Sequence, residues 1–135
     1  MQEILKFLAD NRPFYLATLD GAQARVRPMG FVMEFEGRIY FGLGDQKAVY
    51  RQMKANPQVE ICTTASQAPD SPWLRLTGRA VFDPRPELWA AALKAMPMLA
   101  DIYPETGPAR MAPFYLENAE AVFCDMKGSV RRATI

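Results

Sequence analysis

The stretch "FYLATLDGAQARVRPMGFVMEFEGRIYFGLG", residues 14–44, decides the fold. Its apolar residues come in short runs separated by turn residues, a pattern of strands rather than of helices. Phe14 to Leu19 reads as a strand, Asp20-Gly21 as a hairpin turn, and Ala24 to Met29 as the returning strand. Phe31 to Phe35 resumes the extended pattern, Glu36-Gly37 turns, and Arg38 to Leu43 comes back. The whole predicts a meander of antiparallel strands. Pro28 has no N–H to offer a ladder, so it marks an edge or a bulge, and Gly30 permits close approach of the backbone.

Working outward, "GDQKAVYRQMKANP", residues 44–57, switches to helical spacing, with Val49, Tyr50 and Met53 on one face and Asn56-Pro57 as the stop. Asp45 is the expected N-cap, which puts Lys47 in the first turn. A cation there meets the positive end of the helix dipole, an arrangement that a bound anion would make favourable. Upstream, Ile4, Leu5, Phe7 and Leu8 predict a helix over residues 2–10, ended by Asn11-Arg12-Pro13.

Downstream, Val59 to Thr63 is a strand, Ser66 to Pro72 a polar loop, and Trp73 to Phe82 a long strand in which Gly78 predicts a bend. A third helix is expected from Glu87 to Ala95, with Leu88, Ala92 and Leu93 facing the core. Pro97 separates it from a short piece toward Ile102-Tyr103. Phe114 to Leu116 and Ala119 to Met126 supply the last strands, and Gly128 onward reads as a polar tail. The sum is a single domain over residues 1–135, mainly β with peripheral helices. Six or seven antiparallel strands are most economically arranged as a small barrel, because closure removes edges.

Composition narrows the chemistry. The chain has 16 Lys plus Arg, 15 Asp plus Glu and a formal net charge of +1, so long-range attraction to nucleic acid or to an anionic membrane is not expected. Any anion site must be local. The amphipathic, charge-interrupted N-terminus reads as neither a signal peptide nor a membrane span, which places the protein in the cytoplasm as an expectation. Cys62 and Cys124 sit in apolar runs without metal-ligand spacing and read as buried small hydrophobes. The chain contains no histidine. That removes Ser-His-Asp and Cys-His nucleophile systems and the commonest general base, and it favours an organic cofactor that carries its own reactive atoms.

The candidate binding residues follow from spacing. Arg25 and Arg27 lie two apart on one strand, so the strand period sends both guanidinium groups to one face, where arginine's planar fork suits a phosphate. The competing reading of the pair is a solvated face with ion pairs to Asp20 or Glu34. Lys47 at a helix start, with Gly42 and Gly44 leaving room before it, is the second feature. Trp73, Arg75 and Thr77 share one face of the long strand, while Leu74, Leu76 and Ala80 belong to the other. The methionines are scattered and read as adaptable packing.

The run from Phe14 to Cys62, "FYLATLDGAQARVRPMGFVMEFEGRIYFGLGDQKAVYRQMKANPQVEIC", followed by "WLRLTGRAVF" at 73–82 and more loosely by "FYLENAEAVFCDM" at 114–126, resembles the pyridoxamine 5'-phosphate oxidase-like family of FMN-binding split β-barrels. The resemblance implies a six-stranded antiparallel split barrel and a homodimer with two FMN sites at the subunit interface. By position it implies phosphate contacts from Arg25 or Arg27 and from Lys47 with its neighbour Gln46. Pro28, Met29 and Gly30 would run beside the flavin ring, and Trp73 would border the site from the other subunit. Members often carry Ser-Arg-Lys where this chain has Asp45-Gln46-Lys47, and a further lysine near Val32 is missing, so fewer cations are expected around the phosphate. The C-terminal arginine- and tryptophan-containing motif of true pyridoxamine phosphate oxidases has no match in "MKGSVRRATI". The expected function is therefore that of an FMN-dependent oxidoreductase of another small molecule. The alternatives are a flavin-binding or electron-carrier protein without turnover, or a split barrel for deazaflavin or haem, the last disfavoured by the lack of histidine.

Overall fold

A computed structural model describes all residues, 1–135. The elements run α1 (Gln2–Asp10), β1 (Phe14–Asp20), β2 (Gln23–Met29), β3 (Val32–Phe35), β4 (Arg38–Gly44), α2 (Ala48–Ala55), β5 (Gln58–Thr64), β6 (Trp73–Phe82), α3 (Pro86–Ala95), α4 (Leu99–Ile102), β7 (Met111–Cys124) and β8 (Val130–Ala133). Every strand pairing is antiparallel, in the order β2-β1-β5-β6-β7-β4-β3, with β8 added on β7. The sheet curls around its core without closing.

β2 and β3 are separated by Gly30 and Phe31 alone, yet they stand at opposite ends of that path. The barrel is thus split between them, and the chain itself crosses the split. Pro28 is tolerated because β2 is an edge strand paired only with β1, where Pro28 stands opposite Tyr15.

Burial follows the strand period. Phe14, Leu16 and Thr18 of β1 and Leu74, Leu76 and Ala80 of β6 point inward, joined by Ile61, Phe41 and Phe114, while Ile4 and Leu8 of α1 are fully buried at one end. β3 and β4 are buried on both faces. Val32 and Phe41 face the barrel core, whereas Phe31, Met33 and Tyr40 meet Leu88, Ala92, Leu99 and Tyr103 of the α3–α4 segment outside it. That double burial explains why this part of the sequence is nearly continuous in apolar residues.

The turns match their residues. Asp20 pairs with Gln23 across a two-residue loop in which Gly21 has φ +60°. Glu36 and Gly37 both take positive φ between the paired Phe35 and Arg38, the signature of the tight hairpin turn. At Gly78 the β6–β7 register shifts between Thr77 and Arg79, and a Cβ there would come within 3.0 Å of the Glu117 carbonyl oxygen, so the expected bend is a bulge that needs glycine.

Three expectations are corrected. There are eight strands rather than six or seven, because the polar tail forms β8 on the edge of β7. The two C-terminal strands are one, Met111–Cys124. Pro113 does not interrupt it: it pairs with Gly42 of β4 on one side, while on the other β6 has ended at Phe82 and the Pro113 carbonyl accepts from the Asp83 N–H at 2.9 Å. Finally, Lys47 and not Asp45 is the N-cap of α2, in extended conformation and without a capping side chain. Asp45 is engaged elsewhere: its carboxylate accepts from the Arg110 N–H at 2.9 Å, and its own N–H donates to the Arg110 carbonyl at 2.9 Å.

Candidate functional site

The β1–β2 register sets Arg27 opposite Leu16 and Arg25 opposite Thr18, so both arginines share the side on which β1 is buried. Their fates then differ. Arg25 forms an ion pair with Asp20 at 3.3 Å and stays half exposed, as the competing reading expected. Arg27 has no carboxylate partner. Its guanidinium donates to the Leu16 carbonyl at 3.2 Å, to Thr18 Oγ1 at 2.7 Å and to Gln52 Oε1 at 2.7 Å. Neutral acceptors from β1 and α2 thus fix the group in place while leaving its charge uncompensated. Partial burial, with the neighbouring Arg25 adding to it, lowers the Arg27 pKa, but a guanidinium stays protonated at any working pH. An anion beside it would be stabilised.

Arg27 lines a cavity of about 350 Å³ together with Pro28, Met29, Gly30 and Lys47, within the size range of small-molecule sites. Five of the expected site residues therefore come together. Arg25, Gln46 and Trp73 do not line this cavity. Arg25 is held by Asp20, Gln46 folds its side chain against Gly44, and Trp73 stands between Thr64 and Cys124 at the far end of β6.

Sequence reasoning missed two contributors. One is Arg12, which enters the lining from the end of α1. The other is an apolar wall of Met96, Met98, Leu99, Ile102, Tyr103 and Met111. The available signal was the dense run "MPMLADIY" at 96–103, in which Met98 and Ile102 remain exposed. Burial, assisted by the charge of Asp45, pushes the Tyr103 phenol above its usual pKa and keeps it a neutral hydroxyl. Gly42 serves the same wall, since a Cβ there would meet Met111 Sδ at 2.7 Å.

No carboxylate lines the cavity, and Arg12, Arg27 and Lys47 belong to no ion pair. The first N–H groups of α2, those of Ala48 and Val49, meet no backbone acceptor and no capping side chain, because Asp45 is turned toward Arg110. Helix dipole, free N–H groups and two cations thus act in one direction at the α2 end. Methionine, aliphatic and aromatic side chains form most of the rest. This donor set suits a ligand with an anionic end and a largely apolar body. No group of three or more His, Cys, Asp or Glu residues is placed to hold a metal, and no helix is long and apolar enough to cross a membrane.

A family model described as pyridoxamine 5'-phosphate oxidase matches residues 1–119. The chain belongs to the pyridoxamine 5'-phosphate oxidase family. Among solved structures, this family member is similar to a NimC/NimA family protein from Clostridium acetobutylicum, with 36% identity over 100% of this chain and 92% of that one and a TM-score of 0.88. An FAD-binding protein from Mesorhizobium loti shares the fold at 18% identity, covering 92% of this chain and 94% of that one with a TM-score of 0.62. A haem-binding protein from Mycobacterium smegmatis does so at 21% identity, covering 93% of this chain and 54% of that one with a TM-score of 0.69. No curated protein matches the chain significantly. Members of one fold thus carry different cofactors, so the ligand of this family member has to be argued from its own pocket.

Proposed function

We propose that the protein binds FMN in the Arg27–Lys47 cavity and acts as an oxidoreductase on a small molecule. The observation that carries this reading is the meeting of Arg27 and Lys47, with Val49 of the uncapped α2 start, in a pocket without a carboxylate, beside Pro28, Met29 and Gly30. Bound flavin supplies electron-transfer chemistry that the histidine-free side chains lack. The chain's own work is to hold the phosphate at the α2 end, to lay the ring along the backbone of residues 28–30, and to keep water off it with the methionine wall.

The active form in this reading is a homodimer with its two sites at the interface. Tyr15, Leu19 and Val26 are exposed on the outer side of β1 and β2, and Val130 on β8; an apolar surface of this kind is commonly covered by a second subunit. Trp73 would then reach the site of the other copy.

The test is titration of purified protein with FMN, followed by absorbance and flavin fluorescence, and then assay of NADH or NADPH oxidation with an electron acceptor. Saturable binding at micromolar protein supports the reading, and turnover makes the protein an enzyme rather than a carrier. A flavin spectrum unchanged by excess protein overturns it.

A further inference from the structure

The positive charge of the cavity lies at two places. Arg27 and Lys47 stand at the α2 end, where Gln52 of α2 accepts from Arg27. Arg12 stands at the other. The register pairs Leu16 with Arg27 but Phe14 with Met29, so Arg12, two residues before Phe14, lies beyond the Met29 end of the lining. Two residues of strand alone correspond to roughly 7 Å, about the step from a phosphate anchor to the body of an elongated ligand.

Arg12 is also singular among the arginines. Arg25, Arg75, Arg79, Arg85, Arg131 and Arg132 are paired with carboxylates. Arg27, Arg51 and Arg110 donate to neutral oxygens, and Arg38 lies over the ring of Tyr115. Arg12 is exposed and has no such partner, and the nearby Asp10 is occupied by Lys6. A fixed apolar rim with one unpaired cation on it is a place where developing negative charge is stabilised.

We propose that Arg12 is the group that meets the electron-rich pyrimidine edge of the flavin ring and stabilises its reduced, anionic form. The inference rests on the FMN reading above and adds a residue to it: the chain holds the phosphate at one end of the cavity and sets the redox poise at the other. Reduction places negative charge on the N1–C2=O region, and a guanidinium there binds the reduced cofactor more tightly than the oxidised one. By linkage, that difference raises the midpoint potential.

The test compares wild type with Arg12→Ala and Arg12→Lys, using FMN and riboflavin as probes. Two quantities are read: affinity for the oxidised form by fluorescence, and midpoint potential by dithionite titration with a reference dye. Arg12→Ala should bind oxidised FMN within about threefold of wild type and lose about tenfold more affinity for the reduced form than for the oxidised one. That ratio corresponds to a fall of about 30 mV for a two-electron couple. Riboflavin, which lacks the phosphate, should show the same fall, and Arg12→Lys should recover most of it. Because the side chain is exposed and unpartnered, thermal melting should not move.

An unchanged potential overturns the inference. So does a loss of oxidised-form affinity seen with FMN and not with riboflavin, which would make Arg12 a phosphate ligand. Failure of wild type to bind either flavin overturns the FMN reading itself, and this inference with it.

Discussion

Asp45 and Arg110 hold one another through two 2.9 Å backbone-anchored hydrogen bonds, and this relationship turns Asp45 away from the helix that its sequence position invites it to cap. The consequence is a helix start with neither a capping side chain nor an acidic residue in its first turn. Asp45→Asn, which keeps the acceptor and removes the charge, should leave stability within about 0.5 kcal/mol. It should tighten FMN roughly two- to threefold by removing a negative charge near the phosphate end. Asp45→Ala should instead cost about 1–2 kcal/mol, because it abandons the Arg110 N–H. Urea denaturation and flavin titration of the two variants check both halves.

Lys47→Ala should weaken FMN by roughly ten- to a hundredfold, the worth of a charge-assisted contact of about 1.5–3 kcal/mol. Riboflavin affinity should stay as it is. Parallel fluorescence titrations decide the matter, and equal losses for the two ligands would remove the phosphate from the α2 end.

Phe114 is fully buried where it stacks on Phe41 and meets Phe82, with ring centroids at 5.5 and 5.7 Å. Phe114→Ala should destabilise the fold by about 3–5 kcal/mol, the usual cost of emptying such a site. Chemical denaturation monitored by circular dichroism gives the value.

Asp83 accepts from Arg85 at 3.0 Å and from the buried Tyr40 hydroxyl at 2.8 Å, and these bonds hold its carboxyl below its usual 3.8. A carboxyl whose pKa is lowered by folding stabilises the native state above the unfolded value, and that contribution is lost as pH falls through the folded one. Stability should therefore decline below about pH 4 in part through this group. Asp83→Asn should be less stable than wild type at neutral pH, and the two should converge as acid is added. Denaturation midpoints across the acid range test the convergence.

Much of the fold was legible because its local signals agree with its global arrangement. Gly21, Gly37 and Gly78 sit at turns and a bulge whose backbone favours glycine, and the apolar alternation of β1 and β6 matches their burial. β8 was not legible. Val130 to Ala133 is an exposed edge held by its backbone pairing with β7 and by the ion pairs Arg131–Glu3 and Arg132–Glu120, so its side chains carry no burial pattern. The site divides in the same way. Lys47 and the Arg25/Arg27 pair could be named because strand period and helix position act locally, whereas residues 28–30 are pointed to by the family resemblance and not by spacing. Arg12 and the 96–103 wall come from segments distant in sequence, and only the folded chain brings them to the cavity.

The split between β2 and β3 has a dynamic meaning as well. Two strands at opposite ends of a sheet ordinarily fluctuate independently, and five strands of ladder lie between these two. Here Gly30 and Phe31 tie those ends covalently beside the Arg27–Lys47 cavity, so motion of the two free edges is expected to be coupled through this short link. Occupancy of the cavity should then be recorded as slowed amide exchange in both edge strands at once, remote along the hydrogen-bond path and adjacent along the chain.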